Sequence, residues 1–281
     1  MNYVIVVDSG CDLVNFPECE NIIFERAPLT IRVGEKEYVD NFSLDIDGFM
    51  NDMQNCTTTT GSAAPSPDVW YKAYKKADNA FAITITSSLS GSYGSAVTAK
   101  NMLLEEAPDK NIHVIDSLSA GPELTVLLYK LTEYIKEGLS FEEITRKITA
   151  YKENTGLGFM LESLDNFVRN GRVNKYVGKI TGVLGIRIIG RASADGQLEV
   201  VHKSRGKYLE QLVNMIINDG YKGGRLVIAH CYNREGADKL NELLKERFED
   251  CPVEIMPTSA LCSYYAENHG LLIGYEKCSP A

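Results

Sequence analysis

The sequence lacks the signatures that would point to a metal, a nucleotide or hydrolytic catalysis. Its seven cysteines include no Cys-x-x-Cys pair, and its four histidines lack metal-ligand spacing, so neither a zinc site nor a disulfide framework is indicated. Neither nucleotide-loop pattern, Gly-x-x-x-x-Gly-Lys-Ser/Thr or Gly-x-Gly-x-x-Gly, is present. The segment Gly91-Ser92-Tyr93-Gly94 is one residue short of a Gly-x-Ser-x-Gly elbow. We therefore expect no metal and no cofactor.

The sequence also has no long apolar run and no excess of basic charge. No run approaches the roughly 20 residues that a membrane span needs. The net charge of −9 and the pI near 5.1 argue against a nucleic acid or an anionic membrane as the main partner. We expect no signal peptide, because Met1-Asn2-Tyr3 leads straight into an apolar strand without a basic segment. An odd number of scattered cysteines fits a reducing cytoplasm.

What the sequence does have is a hydroxyl-rich turn between residues 84 and 92. Six of these nine positions carry Ser or Thr, after the apolar run Phe81-Ala82-Ile83 and before a stretch compatible with a helix. The backbone N–H groups of a helix N-terminus favour anions, and hydroxyls can donate to a carboxylate or phosphate without adding charge. The alternative is simple helix capping, which needs one hydroxyl. Six hydroxyls favour a binding turn.

Strands and helices alternate from residue 1 to about 154, which predicts a mostly parallel sheet covered on both faces. Asp8 follows the first strand and is either an acid of the site or a cap of the next turn; we favour the cap. After Asn154-Thr155-Gly156, hairpins mix with helices, which indicates an α+β arrangement. The fold class is therefore α/β, with an N-terminal domain at 1–154 and a C-terminal α+β domain at 155–281. The loop at 57–67 is expected to be able to reach the second domain.

Three local predictions can be compared directly with the structure. The apolar, β-branched run 22–33 and the short return at 37–39 predict a hairpin across Gly34. The segment 56–67 is rich in Thr, Gly and Pro, which predicts an irregular linker or, alternatively, a second hydroxyl-bearing edge of a site that includes Ser62. Residues 173–184 are predicted to be helical.

Arg172 is the candidate cation. It follows the helix stop Asn170-Gly171 and lies between two apolar helical stretches. A guanidinium there can bind a carboxylate through two parallel hydrogen bonds. The alternative is an ordinary solvated surface arginine.

Several motifs in a fixed order resemble those of the DegV family of fatty-acid-binding proteins, over essentially the whole chain. The motifs are Val6-Val7-Asp8-Ser9, Ser62 to Pro67, Ser87 to Tyr93, Asp116-Ser117, Asn170 to Val173, Asp195-Gly196 and Lys203 to Gly206. The resemblance implies two α/β-type domains with a long-chain fatty acid bound between them. It also implies a partner, a fatty acid kinase that phosphorylates the bound acid for phospholipid synthesis.

By position, the resemblance implies that Ser62, Ser87, Ser88 and Arg172 bind the fatty-acid carboxylate. Members of the family often carry Gly-x-His-x-Gly-Pro-Gly near the C-terminus, whereas this chain has Cys262 to Gly270 at that place. Tyr265 or His269 is the candidate to replace the histidine. Candidates for the wall of the acyl tail are Phe159, Leu161, Phe167, Ile180 and Ile186.

Two other function classes stay open. The first is a hydrolase or transferase that uses Ser87 or Ser88 with His230 or His269. The second is a sensor whose bound lipid controls a protein partner. The favoured interpretation is a cytoplasmic carrier that has no chemistry of its own.

Overall fold

The computed structural model describes residues 2–173 and 185–277. The strands in these residues are β1 (Tyr3–Asp8), β2 (Ile22–Ala27), β3 (Thr30–Val33), β4 (Lys36–Val39), β5 (Thr60–Ala63), β6 (Asn79–Thr84), β7 (Asn111–Asp116), β8 (Thr155–Leu161), β9 (Arg187–Ala192), β10 (Leu198–Ser204), β11 (Leu226–His230), β12 (Val253–Pro257) and β13 (Leu271–Glu276). The helices are α1 (Ile46–Asn55), α2 (Pro67–Tyr74), α3 (Ser92–Glu106), α4 (Pro122–Lys136), α5 (Phe141–Lys152), α6 (Asp165–Arg169), α7 (Tyr208–Asn218), α8 (Arg234–Lys245) and α9 (Ala260–Ala266). None of these helices is long and apolar enough to cross a membrane.

The N-terminal half is built on a four-stranded parallel sheet in the order β2-β1-β6-β7. Strands β1 and β6 are buried at every position, because helices cover both faces of the sheet. Helices α2 and α3 pack on one face around Trp70 and Tyr74. Helices α4 and α5 pack on the other face, where Phe141 stacks on Phe81. The predicted parallel sheet is confirmed.

The run 22–33 forms two strands rather than one. Strand β2 pairs in parallel with β1, whereas β3 leaves that sheet and pairs antiparallel with both β4 and β5. Pro28 lies between β2 and β3 and has no N–H for a strand ladder, which accounts for the break. The predicted hairpin across Gly34 is confirmed for β3 and β4.

The segment 56–67 is not irregular throughout, and in this respect the prediction was wrong. Residues Thr60–Ala63 form β5, with Ser62 opposite Ile31 of β3. Threonine favours extended backbone, but the strand forms here because β3 offers a partner about thirty residues away. The pairing fixes Ser62 on a regular strand.

The C-terminal half contains a six-stranded mixed sheet in the order β10-β9-β8-β13-β11-β12. Only β11 and β12 pair in parallel among these described strands, which agrees with the α+β expectation. Helix α4 contacts strands of both sheets, so one hydrophobic core joins the two halves. This sheet begins at Thr155; the division into domains at 154 stays a prediction. Of the predicted helix 173–184, all but Val173 lies outside the described residues.

Helix α9 was not foreseen, and buried acids of the N-terminal half hold its N-terminus. Asp40 accepts hydrogen bonds from the backbone N–H groups of Leu261 (2.8 Å) and Ala260 (3.3 Å). Asp12 accepts one from the N–H of Ser259 at 2.8 Å. The buried Arg26 guanidinium lies 3.3 Å from the Asp40 carboxylate. These contacts fix the helix that carries Tyr265.

Candidate functional site

The hydroxyl-rich turn follows β6 and is tied to β1 by Asp8. The Asp8 carboxylate is fully buried and accepts hydrogen bonds from Gly10 N (3.0 Å), Ile85 N (2.9 Å) and Ser92 Oγ (2.5 Å). Burial raises the pKa of Asp8 to about 6. The favoured interpretation of Asp8 as a cap of the turn after β1 is confirmed by its bond from Gly10, and the same carboxylate also positions the start of α3.

Ser62 and Tyr265 meet although they are distant in sequence. The Ser62 hydroxyl lies 2.9 Å from the Tyr265 phenol oxygen. The Tyr265 ring lies against the Phe167 ring, with centroids 4.6 Å apart. Burial raises the pKa of Tyr265, while the hydrogen bond to Ser62 and the nearby Arg172 charge act in the opposite direction. Tyr265 is therefore a neutral hydroxyl with a positive charge nearby.

Arg172 is positioned by the turn that ends α6. Gly171 adopts φ +68°, a left-handed conformation that glycine accommodates at a helix end. Arg172 donates from Nε to the Leu89 carbonyl (3.3 Å) and from Nη1 to the Asn170 carbonyl (2.8 Å). Among residues 2–173 and 185–277, no carboxylate lies within salt-bridge distance of Arg172. Its described partners are thus neutral carbonyls.

The turn that carries Arg172 is itself fixed by a second tyrosine of α9. The Tyr264 hydroxyl accepts a hydrogen bond from Asn170 Nδ2 at 2.6 Å and lies 2.6 Å from Thr60 Oγ1. Adjacent residues of α9 therefore contact both β5 and the arginine turn. Sequence reasoning missed this role of Tyr264, because nothing local distinguishes it from other buried tyrosines.

These elements enclose an apolar cavity of about 940 Å³, its open mouth included. Hydrophobic side chains of both halves form most of its wall, namely Leu29, Ile85, Leu89, Leu157, Phe159, Leu161, Phe167, Leu198, Leu261 and Leu272. The polar side chains Ser62, Ser90, Arg172 and Tyr265 also line it. Ala64 and Gly91, both exposed, border the cavity beside Ser62. The cavity is suited to an apolar chain with one anionic end.

Three of the predicted site residues lie elsewhere. Ser87 is exposed, and its backbone N–H donates to Asp116 at 3.1 Å. Ser88 Oγ donates to the Asp195 carbonyl at 2.5 Å, a contact to the β9–β10 turn. His269 Nδ1 lies 3.1 Å from Glu162 Oε1 on a side chain that is 58% exposed. All three lie outside the lining of the cavity, which includes Ser90 instead.

The expected wall residues Phe159, Leu161 and Phe167 line the cavity, and Ile186 is not part of that lining. Ile180 lies outside the described residues. His230 lines a different cavity, with Arg26 and Asp40. Within the described part of the chain, neither His230 nor His269 hydrogen-bonds to Ser87 or Ser88. No observation therefore favours the hydrolase alternative.

Comparison with known proteins agrees with this architecture. The model of the DegV family, described as uncharacterised proteins, matches residues 2–276. A DegV domain-containing protein of Streptococcus pyogenes serotype M1 is 47% identical over 98% of this chain and all of the relative. The structure is similar to the Fak B3 protein of Streptococcus pneumoniae fatty acid kinase loaded with linoleic acid, with a TM-score of 0.97, 46% identity, and coverage of 99% of this chain and 100% of that one.

A DegV family protein from Eubacterium eligens loaded with heptadecanoic acid is also similar. Its TM-score is 0.93 and its identity 38%, with coverage of 98% of this chain and 100% of that one. Both the family model and these relatives extend over nearly the full chain. The protein belongs to the DegV family.

Proposed function

We propose that this protein binds one long-chain fatty acid in the apolar cavity, with the carboxylate at Arg172. The observation that carries the proposal is a guanidinium that lines an apolar cavity and has only neutral carbonyls as described partners. A charge in such a place is stabilised by an anion that it can hydrogen-bond. A fatty acid supplies that anion and fills the apolar wall in one molecule.

The tail supplies most of the affinity in this proposal. Each methylene group removed from water contributes about 0.8 kcal/mol before the entropy of association is subtracted. The carboxylate contacts then decide which end of the molecule lies at the mouth. Ser62 and Tyr265 would donate hydrogen bonds to the carboxylate without adding charge. Ser90 also lines the cavity and provides a further hydroxyl.

Ser88 has a different role in this proposal. Its hydroxyl holds the turn between β9 and β10, whose residues Gly196 and Gln197 line the cavity. The contact thus keeps that hairpin over the bound chain. Ser87 and His269, which lie outside the lining, would act on the head group only through a change of conformation.

We further propose that the protein is a carrier that presents the carboxylate to a fatty acid kinase. The structurally similar Streptococcus pneumoniae Fak B3 protein is named as part of a fatty acid kinase. The exposure of Ala64 and Gly91, which border the cavity beside Ser62, supports this proposal, because a second protein could reach the head group there.

Native mass spectrometry tests the binding step. Protein purified from a heterologous host should carry one fatty acid per chain, and delipidated protein should take up one equivalent of added acid. A protein that takes up no acyl chain would contradict the proposal.

The partner step is tested separately, by acyl phosphate formation when a bacterial fatty acid kinase and ATP are added to the loaded protein. If no acyl phosphate forms from the bound acid, the kinase partnership is refuted while the proposed fatty-acid binding stands.

A further inference from the structure

Two adjacent tyrosines of α9 contact two hydroxyl side chains of β5. Thr60 and Ser62 are two positions apart in this strand, so their side chains lie on one face of it. Tyr264 and Tyr265 follow one another in α9, and their ring centroids are 4.9 Å apart. The Tyr265 hydroxyl lies 2.9 Å from Ser62 Oγ, and the Tyr264 hydroxyl lies 2.6 Å from Thr60 Oγ1. Two hydroxyl pairs therefore join α9 to β5.

The two pairs differ in their relation to the apolar cavity. Ser62 and Tyr265 line it, whereas Thr60 and Tyr264 do not. The Tyr264 side chain is completely buried, so its hydroxyl has to find its hydrogen-bond partners inside the protein. Tyr264 thus belongs to the surroundings of the proposed head-group site and not to its wall.

The second partner of the Tyr264 hydroxyl leads to the arginine. Asn170 Nδ2 donates to this hydroxyl at 2.6 Å and to the Asn166 carbonyl at 2.8 Å, so both N–H groups of the amide are used. Because Tyr264 accepts a hydrogen bond here, its own proton is available to Thr60. The Asn170 carbonyl in turn accepts from Arg172 Nη1 at 2.8 Å. A chain of hydrogen bonds therefore runs from β5 through Tyr264 and Asn170 to the guanidinium.

Helices α6 and α9 are also joined by a contact that does not use the Tyr264 hydroxyl. Asn166, which is 5% exposed, donates from Nδ2 to the Tyr264 backbone carbonyl at 2.7 Å. Replacing the tyrosine by phenylalanine leaves this bond in place. Such a change removes only the contacts of the hydroxyl with Asn170 and Thr60.

We propose that Tyr264 is a positioning residue, whose hydroxyl orients the Arg172 turn so that the protein prefers a carboxylate to a neutral head group. This inference rests on the proposed function. Guanidinium and carboxylate pair best through two parallel hydrogen bonds, which requires a defined orientation of the guanidinium. An arginine whose turn is already fixed loses less conformational freedom when the ligand binds. Tyr264 contributes in this way without contacting the ligand.

A comparison of two ligands separates positioning from general stability. Delipidated proteins are titrated with a saturated fatty acid and with the primary alcohol of the same chain length, each by displacement of a fluorescent fatty acid. The alcohol places the same chain in the apolar cavity but carries no charge, so the ratio of the two affinities reports on the head group. The variants are Tyr264→Phe and Asn170→Ala. The matched control is Tyr221→Phe, which deletes a buried hydroxyl that donates to the Gly224 carbonyl at 3.0 Å, outside the cavity lining.

We expect Tyr264→Phe to bind the acid about fivefold more weakly and the alcohol within about twofold of the wild type, since one neutral hydrogen bond to the turn is lost. Asn170→Ala should lower the same ratio, and it decides the matter if Tyr264→Phe does not fold. The ratio for Tyr221→Phe should match the wild type.

Two results would overturn the proposal. The first is an unchanged ratio in the folded variants at positions 264 and 170. The second is an equal loss of affinity for acid and alcohol, which would assign Tyr264 a structural role only. A wild-type protein that binds neither ligand, or that binds the alcohol as tightly as the acid, would instead refute the proposed function.

Discussion

The two arginines that line the apolar cavity have opposite electrostatic surroundings. Arg172 donates to two backbone carbonyls, and no acidic side chain of the described residues pairs with it. Arg191 donates to two carboxylates, Glu199 and Asp219. Within the described residues, the Arg172 guanidinium thus has neutral partners, while the charge of Arg191 is paired with two carboxylates. We therefore expect Arg172, and not Arg191, to bind the anionic end of a ligand.

The largest effect on fatty-acid affinity should come from removing the charge of Arg172. We expect Arg172→Ala to weaken fatty-acid binding by about ten- to a hundredfold, because hydrogen bonds to a charged group contribute about 1.5 to 3 kcal/mol. Titration of delipidated protein with a fluorescent fatty acid measures the change. The matched control is Arg169→Ala, which removes an exposed arginine of α6, outside the cavity lining. Equal binding by Arg172→Ala and wild type would remove Arg172 from the site.

Next to Thr155 at the start of β8, a buried acid should make the free energy of unfolding depend on pH. Glu123 is 4% exposed, and its carboxylate accepts hydrogen bonds from Ser119 and Thr155. Burial raises the pKa of Glu123 to about 7, so the folded protein retains a proton that the unfolded chain has lost. The stabilising contribution of neutral Glu123 is present below the unfolded pKa and is lost as the pH rises through about 7.

We therefore expect Glu123→Gln to change the pH profile of folding. Relative to this variant, the wild type should lose about 2 kcal/mol of unfolding free energy between pH 5 and pH 8. Denaturant unfolding of both proteins at the two pH values measures the difference. If the two proteins differ in unfolding free energy by the same amount at pH 5 and pH 8, Glu123 has the same pKa in the folded and unfolded states. Both proteins are delipidated before the measurement, so that a bound fatty acid does not contribute to the unfolding free energy.

A smaller effect should follow from removing one neutral donor beside Arg172. Tyr265→Phe keeps the ring against Phe167 but deletes the hydroxyl near Ser62. We expect an affinity loss of about fivefold, in line with about 1 kcal/mol for a neutral hydrogen bond. Ser62→Ala should give a similar loss, and the double variant should lose less than the sum, because the two hydroxyls share one hydrogen bond. If the two losses in binding free energy add in full, the hydroxyls of Ser62 and Tyr265 act independently, which would contradict their joint role.

The smallest effect is expected for Ser87→Ala. The side chain is exposed and lies outside the cavity lining, so fatty-acid affinity should stay within about twofold of the wild type. The same titration measures it. A tenfold loss would return Ser87 to the head-group site and would imply that the turn rearranges when the ligand binds.

Local features of the fold could be predicted from the sequence. The alternation of strands and helices in the first half, the cap formed by Asp8 and the glycine turn before Arg172 all depend on neighbouring residues. Pairings between distant segments could not be predicted. Strand β5 exists because β3 lies beside it, and α9 is held at its N-terminus by Asp12 and Asp40 of the other half.

The hydroxyl-rich turn shows the same limit at the site. Its density of Ser and Thr correctly drew attention to the turn, but composition does not say where each hydroxyl points. Ser92 bonds to Asp8, Ser88 bonds to a carbonyl 107 residues away, and Ser90 lines the cavity. Similarly, the contact of Ser62 with Tyr265 joins positions 203 residues apart. The types of side chain were predictable, whereas their assignment to the cavity required the fold.

The orientation of a bound fatty acid tests the account most directly. A crystal structure of the protein loaded with a fatty acid brominated at its terminal carbon would locate both ends of the ligand through electron density and anomalous signal. We predict the carboxylate within hydrogen-bond distance of Arg172 and the bromine beside Leu157. A carboxylate beside Leu157 with the bromine beside Tyr265 would contradict this orientation of the ligand.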